Sequence, residues 1–406
     1  MIGPLLKDIR ILEIGHFIAG PFAARALADL GADVIKVEPP GTGDPIRAWG
    51  KMVDGKSLWW SMHGRNKRCV TLNTRHPKAL EMLLELVSKC DCVIENQKVG
   101  QLDKWGLTAE AMNKVRPGIT IVRITGFGQT GPEAPRAGWG VIGEAKGGLR
   151  HLCAYPEGVT DLPPVRCGVS IGDSIAGLYG ALGAVSAILE QKTSGRTDPR
   201  VIDVALGESV LSFMESIVPE YGYTGAVRAP AGSSLPTAAP SSAYKTADGA
   251  WVLIAANSEA IFRSLLKVMN MPELGSDPRF VGNPERVANR EALDRLIANW
   301  AVAQKSDALI EKLEAADIPT TKIYSIADVA ADKQYQARDM LPAVADPLFS
   351  KPIMQTGVVP VVEGLDRNAQ IRWAGPAVGQ HNSDVYTGLL GKSATDIAEM
   401  KKAGLI

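Results

Sequence analysis

Four groups of residues have types and spacings that could do chemistry. Asp173 stands between Val169-Ser170-Ile171-Gly172 and a helical pattern that begins near Ser174. Taken alone, an Asp at such a place reads as a helix N-cap. The positive end of a helix also favours a carboxylate and helps hold it ionised, the state in which a carboxylate attacks. Arg65, Lys67, Arg68 and Arg75 form the densest local group of cations, which by itself reads as a solvated patch. Gly15 and Gly20 follow an apolar run and Glu38 ends the next one, so a dinucleotide-binding loop has to be weighed. Between those glycines stand His16, Phe17, Ile18 and Ala19, which break the G-x-G-x-x-G spacing that brings a pyrophosphate against the backbone. The spacing therefore argues against a nicotinamide cofactor. The five cysteines, Cys69, Cys90, Cys92, Cys153 and Cys167, lack the paired C-x-x-C spacing of zinc sites, so no metal is expected. Cys90-Asp91-Cys92, two thiols on a strand-like segment, read as packing residues in a reducing compartment.

The elements that must position these residues alternate. Ile11 to Ile14 reads as a strand, Pro21 to Leu30 as a helix and Ala32 to Val37 as a second strand. A helix over Pro77 to Ser88 feeds a strand at Cys92 to Glu95, and Ile119 to Ile124 is another strand that runs into Gly126-Phe127-Gly128. This βαβ pattern predicts an α/β fold, a Rossmann-like parallel sheet with helices on both faces. Arg200 to Ala205 reads as a further strand and Ser209 to Val218 as a helix. Ala226 to Pro240 reads as a linker. Beyond it, Ala243 to Asn257 resembles a hairpin turning at Asp248-Gly249, and a mostly helical stretch runs to Leu313. The expected organisation is a large domain over 1–225, a smaller α+β domain over 226–323, and a return segment over 324–406 that completes the large domain and closes with a helix from Ser393 to Gly404.

The chain has 406 residues, more than one simple core requires, and 44 basic residues balance 44 acidic ones. A neutral chain carries no global field to attract nucleic acid or an anionic membrane, so neither partner is expected. Met1-Ile2-Gly3-Pro4 shows no export signal, and the stretch from Ser174 to Leu189 is rich in Gly and Ala and shorter than the ~20 apolar residues of a span. It reads as a buried helix, and the protein as cytoplasmic.

Several stretches, taken together, resemble class III CoA-transferases, the family that includes formyl-CoA and carnitine CoA-transferases. They are Ala19-Gly20-Pro21, Leu30 to Glu38, Gly41-Thr42-Gly43-Asp44, Asn66-Lys67-Arg68, Glu95-Asn96, Gly126 to Pro132 and Gly172-Asp173, with weaker echoes at Asp277 to Phe280, Ala288-Asn289-Arg290 and Ala403 to Ile406. They fall in the right order over nearly the whole chain. The resemblance implies that Asp173 is a nucleophile that carries CoA as an aspartyl-CoA thioester. It also implies CoA thioesters as substrates with no permanently bound cofactor, and a homodimer of interlocked rings. It places CoA contacts at Leu72 to Arg75, Asn96 and Lys104 and sets His16 and Phe17 beside the thioester; since a neutral protein needs local cations to hold the CoA phosphates, the cluster of Arg65, Lys67, Arg68 and Arg75 is the expected place for them.

The chain departs from the family in places. Gly138-Trp139-Gly140 stands where Gly-Tyr-Asp/Glu or Gly-His-Asp is frequent, Ile18 replaces a Gln found in some members, and Pro39 a basic residue. An α-methylacyl-CoA racemase, which shares the fold, needs an acid/base pair. With Trp139 in place of the imidazole it would have to recruit His16 or Glu144. A non-catalytic acyl-CoA-binding protein would have no need of the Asp. Met214-Glu215-Ser216, Pro219-Glu220-Tyr221 and Gly232 to Ser241 resemble the branch that uses succinyl-CoA and short dicarboxylic acids. Arg228, with the hydroxyls of Ser233, Ser234 and Thr237, is the expected receptor for a second carboxylate, equally readable as a linker charge.

Overall fold

The computed structural model describes residues 3–406; Met1 and Ile2, with which the sequence opens, lie outside them. Six short apolar runs form one parallel sheet: β1 (Arg10–Glu13), β2 (Asp33–Glu38), β3 (Lys67–Thr71), β4 (Cys92–Glu95), β5 (Thr120–Thr125) and β6 (Arg200–Ala205). Their order across the sheet is β3-β2-β1-β4-β5-β6. This is the doubly wound arrangement, and the winding reverses between β1 and β4, where the loops at the strands' carboxyl ends open a crevice. Alternation sorts the two cores. Leu12, Ile35, Val70, Val93 and Ile121 face one layer, which includes α2 (Ala79–Ser88). Ile11, Val34, Ile94 and Val122 face α1 (Ala19–Asp29) and the long helix described next.

That long helix follows α3 (Gly140–Lys146) and is α4 (Ile171–Ser194). At 24 residues it exceeds the stretch read from the sequence, and by length and composition alone it could cross a membrane. Half of its apolar stretch is buried in this fold. Its small residues permit close packing: a Cβ on Gly177 would stand 2.8 Å from the Ala19 carbonyl oxygen. The helix expected over 209–218 is broken into α5 (Leu206–Leu211) and α6 (Ile217–Thr224). Between them Glu215 takes a φ of 50°, which no right-handed helix can contain.

The chain divides into two compact units, 1–150 with 166–225 and 333–406, and 151–165 with 226–332. The second unit thus gains a segment that the linear reading kept within 1–225, and the return begins at Lys333. In that second unit the hairpin β7 (Ser241–Lys245) and β8 (Trp251–Ala255) pairs with β9 (Thr320–Lys322) in an antiparallel sheet. Val252 and Ile254 of β8 are buried while Trp251 and Leu253 are exposed, the alternation of a one-sided strand. Helices α7 (Glu259–Val268), α8 (Arg290–Ala301) and α9 (Ser306–Glu314) contribute Phe262, Leu265, Leu293, Ile297 and Leu309 to its core. In the first unit α10 (Ala394–Lys402) closes the chain.

Strand β3 is the one strand of the six-stranded sheet that sequence patterning missed, because its residues looked like a surface cluster. Lys67 is fully buried, its Nζ 2.7 Å from Glu13 Oε2 and donating to the Pro21 carbonyl at 2.8 Å. Glu13 also accepts from Lys36 at 2.6 Å, and Lys36 in turn lies 2.7 Å from Asp44 Oδ2. Burial opposes the Lys36 charge, but Asp44, Glu13 and Glu38 overcome it and raise its pKa. Arg65 is equally buried, forked onto Asp29 by bonds of 3.0 and 2.6 Å. These cations balance core carboxylates and are not offered to a ligand.

Candidate active site

The loop after β1 lies at the point where the winding reverses. Asn96, just past β4, clamps it: the His16 N–H donates to Asn96 Oδ1 at 2.8 Å and Asn96 Nδ2 donates to the His16 carbonyl at 2.9 Å. Phe17 takes a φ of 61°, a left-handed conformation that costs a bulky residue free energy. Its N–H donates to Asp44 Oδ1 at 3.1 Å, and the Lys36 ammonium donates to the Gly15 carbonyl at 2.8 Å. The buried charge network therefore holds the loop from beneath. Glu38, which a dinucleotide fold would aim at a ribose, is bound instead by Arg47 at 2.7 Å.

Above this loop is a cavity of about 380 Å³, lined by His16, Phe17, Asn96, Trp49, Trp139 and Asp173 among others. Its size is that of a small-molecule site. Phe17, Trp49 and Trp139 form an aromatic wall, with ring centroids 4.7 Å apart for Phe17 and Trp49 and 5.0 Å for Phe17 and Trp139. A second cavity of about 280 Å³ shares His16, Phe17 and Gln97 with the first and adds Leu72, Thr74, Pro39 and Trp105.

Asp173 sits in the first turn of α4, three residues after the N-cap Ser170, so it is not itself the cap. Burial, followed by the charge of Glu144, pushes its carboxyl up to about 6 against the opposing pull of Arg166. The helix end does not keep it as acidic as the sequence suggested, because desolvation and a like charge win. Glu144, on α3, is fully buried; its Oε2 accepts from Arg150 Nε at 3.1 Å, and Arg166 Nε stands 3.9 Å away. A carboxyl at about 6, in a cavity that it shares with three aromatic rings, is a strong candidate nucleophile at neutral pH. His16 is held neutral, its pKa lowered by burial and Lys36 despite Asp44, and its Nδ1 lies 3.1 Å from Gln97 Nε2.

The residues predicted from the sequence separate into three groups. Asp173, His16, Phe17 and Asn96 line the first cavity, and Leu72 lines the second. Arg75 and Lys104 are exposed next to the lining residues Thr74 and Trp105. Arg68 lies apart from both cavities: near the start of β3, its guanidinium is paired with Asp33 at 2.5 Å, and Asp33 begins β2, at the opposite end of the sheet. A parallel strand carries its ligand at the carboxyl end, so a side chain folded back to the amino end does not reach it. Arg228, Ser233, Ser234 and Thr237 fall in the second unit. Sequence reasoning missed Arg136, Lys98, Trp49 and Arg166 as lining residues and weighed Glu144 only as a racemase base. The one available signal was helical spacing, since Glu144 lies four residues after Gly140 on the same face of α3.

Known proteins share this architecture and sequence. A CAIB/BAIF family protein of Brucella suis superposes with a TM-score of 0.81 at 32% identity, over 96% of this chain and 100% of that one. Succinyl-CoA–D-citramalate CoA-transferase of Chloroflexus aurantiacus is 42% identical over 99% of this chain and 98% of its own length. Human succinyl-CoA:glutarate CoA-transferase is 32% identical over 99% of this chain and 90% of its own. Residues 6–382 match CoA-transferase family III, and with a whole-length relative at 42% identity the chain belongs to that family and is a CoA-transferase.

Proposed function

We propose that this enzyme moves CoA from succinyl-CoA to a C4 to C6 dicarboxylic acid through an aspartyl-CoA thioester on Asp173. The observation that carries the reading is the placement of Asp173, a desolvated carboxyl in a cavity with an aromatic wall and a neighbouring arginine. The relatives whose names give succinyl-CoA with citramalate and glutarate support the choice of acids.

The chemistry balances without a cofactor. A carboxylate oxygen of Asp173 attacks the thioester carbonyl, and the C–S bond breaks to leave a mixed anhydride and CoA thiolate. The thiolate attacks the aspartyl carbonyl and the anhydride C–O bond breaks, releasing the donor acid and leaving aspartyl-CoA. The acceptor carboxylate attacks that thioester, expelling thiolate, which then attacks the acceptor's acyl carbon and restores Asp173. No net proton moves, so the protein has to position groups, stabilise charge and exclude water. Phe17, Trp49 and Trp139 suit the last task. CoA would extend from the first cavity into the second, past His16, Phe17 and Asn96 to Leu72, with Arg75 and Lys104 at its phosphates.

The same reading takes the protein to be cytoplasmic and a homodimer of interlocked rings. Leu178, Leu182 and Leu189, exposed along one stripe of α4, are apolar surface that a second copy would bury. A folded monomer in sedimentation would refute the dimer. Incubation with succinyl-CoA, intact-mass measurement and peptide mapping test the mechanism: a CoA adduct on Asp173 is expected, and its absence from a competent enzyme would refute it. A panel of acids tests the acceptor, and preference for a monocarboxylic acid or for carnitine would overturn it.

A further inference from the structure

A dicarboxylic acid that reacts through one carboxylate carries a second charge into the same cavity. Leaving that charge unpaired in a water-poor site is costly, so the cavity must supply a cation. Three cations line it: Lys98, Arg136 and Arg166. Arg136 is committed to Glu133 and lies over the Phe127 ring, 5.3 Å from its centroid. Lys98 lies three residues beyond Glu95, the last residue of β4, and offers a single ammonium in place of a planar fork.

Arg166 differs from Arg136 in lacking a close carboxylate partner, and from Lys98 in carrying a planar guanidinium and in acting on the Asp173 carboxyl. Its guanidinium stands 3.9 Å from Glu144, and Glu144 is bonded more closely by Arg150 at 3.1 Å. Arg166 makes no hydrogen bond among the described residues, so its planar fork of donors remains available to a carboxylate. Its side chain is 46% exposed, and its charge reaches Asp173. It also stands seven residues before Asp173 in the chain, within the same unit.

We propose that Arg166 receives the distal carboxylate of the acid whose near carboxylate reacts at Asp173, and so sets the preference for dicarboxylic over monocarboxylic acids. The sequence reading had given this role to Arg228. The proposal rests on the dicarboxylate reading above. Donor and acceptor acids each occupy this position in turn, since each presents a carboxyl to the same aspartate. One arginine therefore serves both half-reactions.

The test uses the first half-reaction, which needs no acceptor. Aspartyl-CoA formation is followed by intact mass with succinyl-CoA and with butyryl-CoA, which match in carbon number and differ in the distal charge. In Arg166→Met the ratio of the two rates should fall by about tenfold to a hundredfold, the range for losing a hydrogen bond to a charged group. Arg166→Lys should retain part of the preference, since it keeps the charge and loses the fork. A structural role would slow both donors alike, and Arg166→Gln repeats the measurement should the methionine variant fold poorly. If the parent prefers succinyl-CoA and the neutral variants keep that preference, this proposal is overturned. If the parent itself shows no such preference, the dicarboxylate reading fails first.

Discussion

A methyl group built on Gly140 would overlap Oδ2 of Asp173, so the first residue of α3 must be glycine for the carboxylate to lie where it does. The position is one where many family members carry an acid, and here the nearby carboxylate comes from Glu144, one turn further along the same helix.

Gly140→Ala is therefore expected to push Asp173 out of line with an incoming thioester. A displacement of about 1 Å can cost about a hundredfold in rate. Steady-state transfer should fall by that order while circular dichroism stays unchanged. Activity within twofold of the parent would show that the side chain has another place to go.

Asp173→Asn should abolish transfer and stabilise the fold. The native carboxyl titrates near 6 instead of 3.8, so the folded state resists charging it. The sign follows from linkage: this cost is absent below about pH 4 and complete above about pH 6. At about 1.36 kcal/mol per pKa unit it amounts to no more than ~3 kcal/mol. Thermal melts should favour the Asn variant at about pH 8 and converge at about pH 4. Equal melting temperatures at the higher pH would count against a strained carboxyl.

Transfer needs the ionised aspartate, so kcat/KM should rise with pH through about 6. Glu144→Gln removes a charge that raises this pKa and should shift the limb to lower pH; Arg166→Met should shift it to higher pH. Glu95, buried and pushed up to about 7, lies outside the cavity lining, and a limb belonging to it would move with neither variant.

Glu13→Gln should cost stability, at a residue that does not itself line the cavity. It strips the partner shared by Lys36 and Lys67, both fully buried. Removing one member of such a cluster typically costs about 3–5 kcal/mol. Denaturant unfolding monitored by tryptophan fluorescence measures it, and a loss of under ~1 kcal/mol would mean that water reaches the site.

Much of this was legible in the chain. Alternating apolar runs at Ile11, Val34, Val93 and Ile121 specify a parallel sheet because strands buried on both faces need continuous hydrophobic segments. That Asp173, His16, Phe17 and Asn96 would share one cavity could be expected because the motif stretches are local and keep their order. Charges were harder to read. Lys67 and Arg68 are neighbours in sequence, yet alternation along β3 sends Lys67 into the core to Glu13 and Arg68 to Asp33 at the amino edge. A linear cluster of cations does not say which carboxylates will meet it.

Local sequence thus determined the elements, the loop at the point of reversal and the nucleophile candidate, because backbone periodicity and short motifs act over a few residues. Only tertiary structure decided which charges are spent inside and which remain for a ligand. Arg65, Lys36 and Lys67 are consumed by carboxylates distant in sequence, whereas Arg166 is left facing the cavity. Burial and Coulomb interaction depend on distances in space, and those were set only when α3 and α4 brought Glu144 and Arg166 beside Asp173.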